Sequence, residues 1–404
     1  MPENLTNSQL AQMAQQYLMP NYGPREIALA RGEGARCWDA DGKQYLDFLS
    51  GIAVNNLGHC HPHVVAAIRE QAANLLHCSN FFLTEQQTLL GKRLAEQTGL
   101  AKVFFANTGT EATEAALKLA RRRAHETKGP DHDTIIVFEN SFHGRTWGAM
   151  SATASKKVRE GFGPLVPGFK FARLNDIDSV KELWDDTVCA VMVETIQGEG
   201  GIRPCDRDFV RELRVLCDER DALLIMDEIQ CGMGRSGRVF AYQHADIKPD
   251  LVPIAKGLGG GMPIGALIAS EKAADVFQPG SHGTTFGGNP VACAAALAVC
   301  DIIFDDDFLQ EVGRKGCKWW GSLEEIKKAH PDRISEIRGM GLMIGMEFNE
   351  PCKDILPIAR RHGLIFNCTA EKVLRFLPPL TVADEELDEG AELLRAAINE
   401  CLGA

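Results

Sequence analysis

Leu223-Leu224-Ile225-Met226-Asp227-Glu228 is an apolar, strand-like run that stops in two carboxylates. Open α/β sheets hold their sites beyond the carboxyl ends of their strands, so Asp227 and Glu228 stand where chemistry is expected. An acid in that position is costly unless a charged group pairs with it. Taken alone, the strand end leaves a second reading open, a helix cap or a buried structural pair.

Working outward, the run spans 222–228, and similar runs recur at Lys102–Ala106, Thr134–Phe138, Val188–Glu194, 251–255 and 263–269. Between them, 110–125 and 206–221 carry charges on one face and Leu, Val or Ala on the other at helical spacing. Strands alternating with crossover helices predict an α/β fold around a mainly parallel sheet covered by helices. The two ends read differently. Residues 1–60 are rich in glycine and turn signals, while the stretch from about 308 has a long polar helix, the run 341–348 and a last amphipathic helix near 383–401. The expected organisation is a large α/β domain over 61–305, with the segments 1–60 and 306–404 building a smaller α+β domain.

With 404 residues the chain has room for two or three domains with real cores. Its 45% hydrophobic and 24% charged residues are those of an ordinary folded protein. A net charge of −12 repels phosphate backbones and anionic lipid, so neither a nucleic-acid nor a membrane partner is expected. The first basic side chain is Arg25, unlike the charged start of a secretory signal. The uncharged stretch 276–300 is broken by His282, Thr284, Thr285, Asn289, prolines and glycines, and cannot span a bilayer. Thirteen cysteines is an odd count without a C-x-x-C pair, which points to free thiols in a reducing, cytoplasmic compartment.

The second chemical signal is Lys256, delivered by the apolar run 251–255 directly into Gly257, Gly259, Gly260 and Gly261. A lysine at a strand lip with glycines clearing space around it suits amine chemistry; the bland alternative is a surface lysine beside a loop. A third signal is Asn107-Thr108-Gly109-Thr110-Glu111-Ala112, a strand turning through glycine into a helix. That turn presents free backbone N–H groups to an anion such as phosphate, and it is equally ordinary capping chemistry. Two further patterns lead elsewhere. Gly232-x-Gly234-x-x-Gly237 matches the dinucleotide fingerprint, but no helix pattern follows and the preceding strand ends in acids. His59-Cys60-His61-Pro62-His63 has metal-ligand residues, but Pro62 with Val64, Ile68 and Leu75 reads as a helix start, so no metal is assigned.

A strand-end acid, a lysine, an anion-binding helix start and Ser141-Phe142-His143-Gly144-Arg145 together match pyridoxal phosphate, which offers an aldehyde, a ring nitrogen, a phosphate and a ring face. At these motifs the chain resembles the class III, or subgroup II, pyridoxal-phosphate-dependent aminotransferases of fold type I, over essentially its whole length. Further matches are Arg31-Gly32-Glu33-Gly34 with Trp38-Asp39, Gly58-His59-Cys60-His61-Pro62, Glu194-Thr195-Ile196-Gln197-Gly198-Glu199-Gly200-Gly201, Asp227-Glu228-Ile229-Gln230, Ala255-Lys256-Gly257 and His282-Gly283-Thr284-Thr285-Phe286-Gly287-Gly288-Asn289-Pro290. Thr195 departs from the family pattern, where proline is common, and so does Tyr22-Gly23-Pro24-Arg25.

The resemblance implies roles by position. Lys256 binds the cofactor covalently and then moves the proton as general base and acid, while Asp227 keeps the ring nitrogen protonated. Phe142 stacks on the ring, Gln230 approaches its phenolic oxygen, and Gly109 and Thr110 bind phosphate, with Thr285 contributing across a homodimer interface. Arg145 and Arg375 resemble the two carboxylate clamps, Thr284 belongs with the substrate, and Glu199 neutralises Arg375 when a terminal amine enters. Within the family the resemblance is nearest to members acting on N2-acetyl-L-ornithine with 2-oxoglutarate in arginine biosynthesis. It is carried by Ser50-Gly51-Ile52-Ala53-Val54-Asn55 and Asn367-Cys368-Thr369-Ala370. Gly51 replaces a bulky aromatic of the ornithine enzymes and leaves room for an acylated nitrogen. Succinylornithine, ornithine, 4-aminobutyrate and N-succinyl-diaminopimelate are the alternative substrates. A non-catalytic binding protein that kept the fold is the rival class, and the presence of both Lys256 and Asp227 speaks against it.

Overall fold

Seven strands form the central sheet: β1 (Lys102–Ala106), β2 (Thr134–Phe138), β3 (Phe169–Ala172), β4 (Val188–Glu194), β5 (Leu223–Asp227), β6 (Leu251–Ile254) and β7 (Gly265–Ala269). Their order is β1-β7-β6-β5-β4-β2-β3, and neighbours from β6 through β3 pair in parallel. Only β7 runs against its neighbours, β6 and β1. The physical reason is length: the connection from β6 to β7 is too short for the crossover helix that a parallel pair needs. This computed structural model describes residues 5–23 and 25–403, so 1–4, Pro24 and Ala404 lie outside it, and with Pro24 part of the Tyr22–Arg25 departure.

Strands β4 and β5 are buried at every position, as continuous apolar runs covered on both faces should be. Each fully buried Leu, Ile or Val there contributes about 1.5–3 kcal/mol of transfer free energy. Edge strand β3, Phe-Lys-Phe-Ala, lies outside the sequence expectation because Lys170 interrupts so short a run. Helix α1 (Gly109–Thr127) buries Leu119 together with Ala112, Ala115, Ala116 and Ala120, and the small alanines let it lie close against the sheet. Helix α2 (Arg207–Glu219) covers another part of the sheet, and the alanine-rich helix α3 (Pro290–Ile303) packs against Pro62–Asn74. Pro62 occupies the first turn of that helix, while His59 pairs with Asp47 at 2.8 Å and His63 with Asp301 at 2.9 Å. The Gly232–Gly237 loop leads into turns and a short 3₁₀ segment at Ala241–Ala245.

Two smaller sheets stand beside the large one. Leu29–Glu33, Arg36–Asp39 and Gln44–Asp47 are extended by Leu364–Ile365, so chain segments from both ends share a sheet. Ile334–Met340, Met343–Phe348, Val373–Phe376 and Asn367–Thr369 form an antiparallel sheet in that order. Trp319, on the helix Asp306–Ala329, is fully buried with its ring edge-on to Phe48 and Phe376 at 5.1 and 5.3 Å. Among the described residues no helix is long and apolar enough to cross a membrane.

Candidate active site

A cavity of about 420 Å³ opens at the carboxyl ends of β4, β5 and β6, lined among others by Lys256, Asp227, Glu194, Phe142, Thr110 and Gln230. Register places the last residues of β4 and β5, Glu194 and Asp227, side by side. Asp227 Oδ1 accepts the N–H of Ile229 at 3.0 Å, and its Oδ2 lies 2.7 Å from His143 Nδ1. Burial disfavours a charged His143 ring, but the hydrogen bond and charge of Asp227, with Glu194 behind, outweigh it and raise its pKa. Glu194 is pushed up to about 7, chiefly by burial and further by the Asp227 charge, against the pull of His143 and of the N–H groups of Phe142 and Gly198.

The pleat sends the next carboxylate elsewhere. Glu228 accepts bonds from the Thr195 hydroxyl at 2.6 Å and from the N–H groups of Ala241 and Tyr242 at 2.7 and 2.8 Å, and burial lifts its pKa to about 7. Of the two strand-end acids, then, Asp227 lines the cavity and Glu228 braces the following loop. Thr195, the departure noted above, is the donor that holds Glu228.

Lys256 stands two residues past the end of β6, after Ala255, with a left-handed backbone (φ 42°). It forms no hydrogen bond or ion pair among the described residues. Burial first, and the positive charge of Arg375 second, lower its pKa to about 8, against Glu199, Asp227 and Glu194. A Cβ on Gly257 would stand 2.2 Å from Asn56 Nδ2, so glycine lets the Asn56 side chain approach the loop beside Lys256. Across the cavity, Thr108 caps α1 by accepting the Glu111 N–H, while the Glu111 carboxylate takes the N–H groups of Asn107 and Thr108. The N–H groups of Gly109 and Thr110 belong to the first turn, which has no intrahelical acceptors for them. Gly144, at φ 139°, lets its loop approach Thr110: a Cβ would lie 2.3 Å from that hydroxyl.

Arg375 has no solvent exposure. Its Nη1 donates to Glu199 Oε1 at 2.5 Å and Gln230 Oε1 at 3.1 Å, its Nε to Asn367 Oδ1 at 3.0 Å, and its Nη2 has no partner among the described residues. Burial would raise the Glu199 carboxyl, but the Arg375 charge and hydrogen bond hold it below its usual range. Arg145 is exposed at the cavity mouth, 5.8 Å above the Phe142 ring. Thr284 and Thr285 line a second cavity of about 870 Å³ with Asn80 and Phe81; Thr284 meets the first site through Asn107, whose Nδ2 donates to its hydroxyl at 3.0 Å. Within the single chain, Thr285 is not brought to Lys256. His143 and Glu194 stood inside the quoted motifs without an assigned role, because their contact with Asp227 joins distant segments.

These groups fit pyridoxal phosphate. Lys256 is an unpaired, partly deprotonated amine, and each Asp227 oxygen keeps lone-pair capacity for a ring N–H. The start of α1 suits the phosphate, Phe142 offers a ring face, and the cavity volume suits a ligand of this size.

Comparison with known proteins points the same way. The profile of Aminotransferase class-III matches residues 17–398. The acetylornithine aminotransferase of Caldanaerobacter subterraneus subsp. tengcongensis is 49% identical over 385 residues, covering 95% of this chain and 98% of the relative. That of Aquifex aeolicus is 48% identical over 94% of this chain and 99% of its own. Among solved structures, the ornithine aminotransferase of Toxoplasma gondii superimposes with a TM-score of 0.95 at 34% identity, over 99% of this chain and 96% of that one. The N-acetylornithine aminotransferase of Stenotrophomonas maltophilia does so with 0.84 at 36%, over 97% and 99%. A lysine and an aspartate at neighbouring strand ends, an anion-binding helix start, and these full-length likenesses place the chain in one family: it belongs to the class-III aminotransferases.

Proposed function

We propose that the protein moves the terminal amino group of N2-acetyl-L-ornithine to 2-oxoglutarate, giving N-acetyl-L-glutamate 5-semialdehyde and L-glutamate, with pyridoxal phosphate as cofactor. The observation that carries this reading is the Arg375–Glu199 pair, a fully buried guanidinium held by a carboxylate at the cavity wall. The acyl group rests on the named relatives and on Gly51, which is exposed near the cavity-lining Val54 and has no side chain to obstruct the substrate's acylated end.

When bound, the cofactor supplies an aldehyde carbon and a ring that withdraws the electron pair left at the amino-bearing carbon. Lys256, with a pKa near 8, has the neutral amine that would hold the aldehyde carbon with loss of water; once displaced by the substrate amine, its Nζ would take the proton from the amino-bearing carbon and deliver it to the former aldehyde carbon. Asp227 holds the ring N–H, and His143, fixed by Asp227, keeps that carboxylate in place. Gly109 and Thr110 would receive the phosphate, Phe142 would cover the ring, and Gln230 would approach the phenolic oxygen. While the terminal-amine donor is bound, Glu199 neutralises Arg375. When glutamate or 2-oxoglutarate enters, Glu199 swings away and Arg375 takes the carboxylate next to the reacting carbon, its unpartnered Nη2 completing a two-pronged grip. Arg145 receives the distal carboxylate.

The active unit is a homodimer. Phe81, 93% exposed, lines the cavity that holds Thr285; Phe82 and Phe286, also largely open, line the adjoining cleft with Thr285, and Leu83 next in sequence is 90% exposed. A cluster of that kind is uncommon on a monomer, and a second copy covering it brings Thr285 to the neighbouring phosphate site. All thirteen cysteines are free thiols, which suits a cytoplasmic enzyme. Steady-state rates with acetylornithine, succinylornithine, ornithine and 4-aminobutyrate against 2-oxoglutarate test the assignment. Acetylornithine should have the highest kcat/KM, and a higher value for ornithine or 4-aminobutyrate overturns the acyl reading.

A further inference from the structure

Arg375 and Glu199 approach each other from separate parts of the chain, and one short strand touches both. Asn367–Thr369 pairs antiparallel with Val373–Phe376, setting Asn367 opposite Arg375. Asn367 Oδ1 accepts from Arg375 Nε at 3.0 Å. Two residues on, the buried Thr369 hydroxyl donates to the backbone carbonyl of Glu199 at 2.5 Å. Side chains alternate along a strand, so Asn367 and Thr369 share a face, whereas Cys368 between them turns to Cys352, with the sulfurs 3.6 Å apart. The Glu199 turn is gripped again where Arg338 Nε donates to the Gly201 carbonyl at 2.8 Å.

We infer that Asn367 and Thr369 are positioning residues that set the resting closure of the Arg375–Glu199 pair, and thereby how the site divides its preference between a terminal-amine donor and an α-amino dicarboxylate. This inference rests on the reading of that pair as a switch. Thr369 fixes the Glu199 backbone, so the carboxylate leaves Arg375 by side-chain rotation alone and returns to one place. Asn367 occupies one guanidinium edge with a neutral acceptor. It orients the group without competing for its charge, leaving Nη1 to Glu199 and Nη2 to a substrate carboxylate.

The two residues therefore predict opposite shifts. Thr369→Val removes the tether but keeps the shape; the closed pair loosens, and selectivity moves about threefold to tenfold toward glutamate, the range of one hydrogen bond. Thr369→Ser keeps the hydroxyl and should restore the wild-type ratio. Asn367→Asp places a second carboxylate on Arg375, competes with the incoming dicarboxylate and moves selectivity at least about tenfold toward acetylornithine. The experiment is the single-turnover reaction of the cofactor-loaded protein with acetylornithine and with glutamate, alongside calorimetric titration with glutarate, a dicarboxylate with no amine to transfer. Glutarate should bind more tightly to Thr369→Val and more weakly to Asn367→Asp than to wild type. Equal slowing with both donors, or unchanged glutarate affinity in both variants, overturns the inference. Because each variant carries its own sign, one that does not fold leaves the other to decide. Wild type that fails to react with acetylornithine overturns instead the substrate reading on which the inference rests.

Discussion

At the lysine end of the cavity every group stands on the central sheet: Asp227 closes β5, Lys256 follows β6, and Gly109 opens the helix after β1. At the arginine end Arg375 and Asn367 stand on neighbouring strands of a different sheet, and Glu199 and Gln230 reach Arg375 from the segments that follow β4 and β5. Groups at the ends of packed parallel strands are held rigidly and meet a cofactor already in position. A lone ion pair between separate segments can open, as a site that accepts two differently charged substrates requires. Chemistry is thus placed where the fold is stiff, and selectivity where two segments meet.

The strongest way to break this contrast is Lys256→Ala. Loss of the attacking amine and proton carrier should lower turnover by about four orders of magnitude or more with every donor, while circular dichroism stays native. Activity within tenfold of wild type would remove the lysine from the mechanism. Asp227→Ala should cost about a thousandfold at saturating cofactor, again for both half-reactions alike, since the countercharge on the ring nitrogen serves each of them; a donor-dependent loss would blur the two ends.

A test of the packing that joins the two ends is Arg235. This fully buried guanidinium donates to the Leu342 and Pro378 carbonyls and, at 2.6 Å, to Asn56 Oδ1. With no carboxylate in contact among the described residues, burial pushes its pKa down to about 9. Arg235→Met leaves those acceptors unsatisfied and should destabilise the protein by about 2–4 kcal/mol in denaturant unfolding. Unchanged stability would mean that water or repacking replaces it.

Glu199→Gln tests selectivity directly. Removing one partner of a buried charge pair is worth about 2–5 kcal/mol, so the ratio of kcat/KM for glutamate over acetylornithine should rise at least about tenfold. Equal losses for both donors would show that Glu199 only supports the site. The smallest effect is on pH. Lys256 attacks as the neutral amine, which dominates above its pKa of about 8 and is depleted below it. Capture of added pyridoxal phosphate by cofactor-free protein should therefore quicken about tenfold between pH 7 and pH 9, where an ordinary lysine would still be rising steeply at pH 9.

The strands bearing Asp227 and Lys256 were legible because their signals are local: an apolar run ending in an acid, another ending in lysine and glycines. The same locality hid β3, whose four residues include a lysine, and the reversal of β7, which depends on how little chain joins it to β6. The strand pattern alone left Asp227 and Glu228 unresolved, since adjacent residues of a strand face opposite ways; the family motif chose Asp227, and the packed sheet shows it on the face that holds the cavity.

By itself the sequence determined the α/β alternation, the helix start at Gly109, the lysine and its glycines, and through its motifs the family. Those features depend on residues a few positions apart, where periodicity and turn chemistry act directly. The family motifs also implied the meeting of Glu199 with Arg375, which the structure shows at 2.5 Å. Only the tertiary structure decided that His143 backs Asp227, and that Asn367 and Thr369 share the face that grips the pair. Such contacts join distant chain segments, and they exist only once strand order and register have placed both segments at one edge of the same cavity.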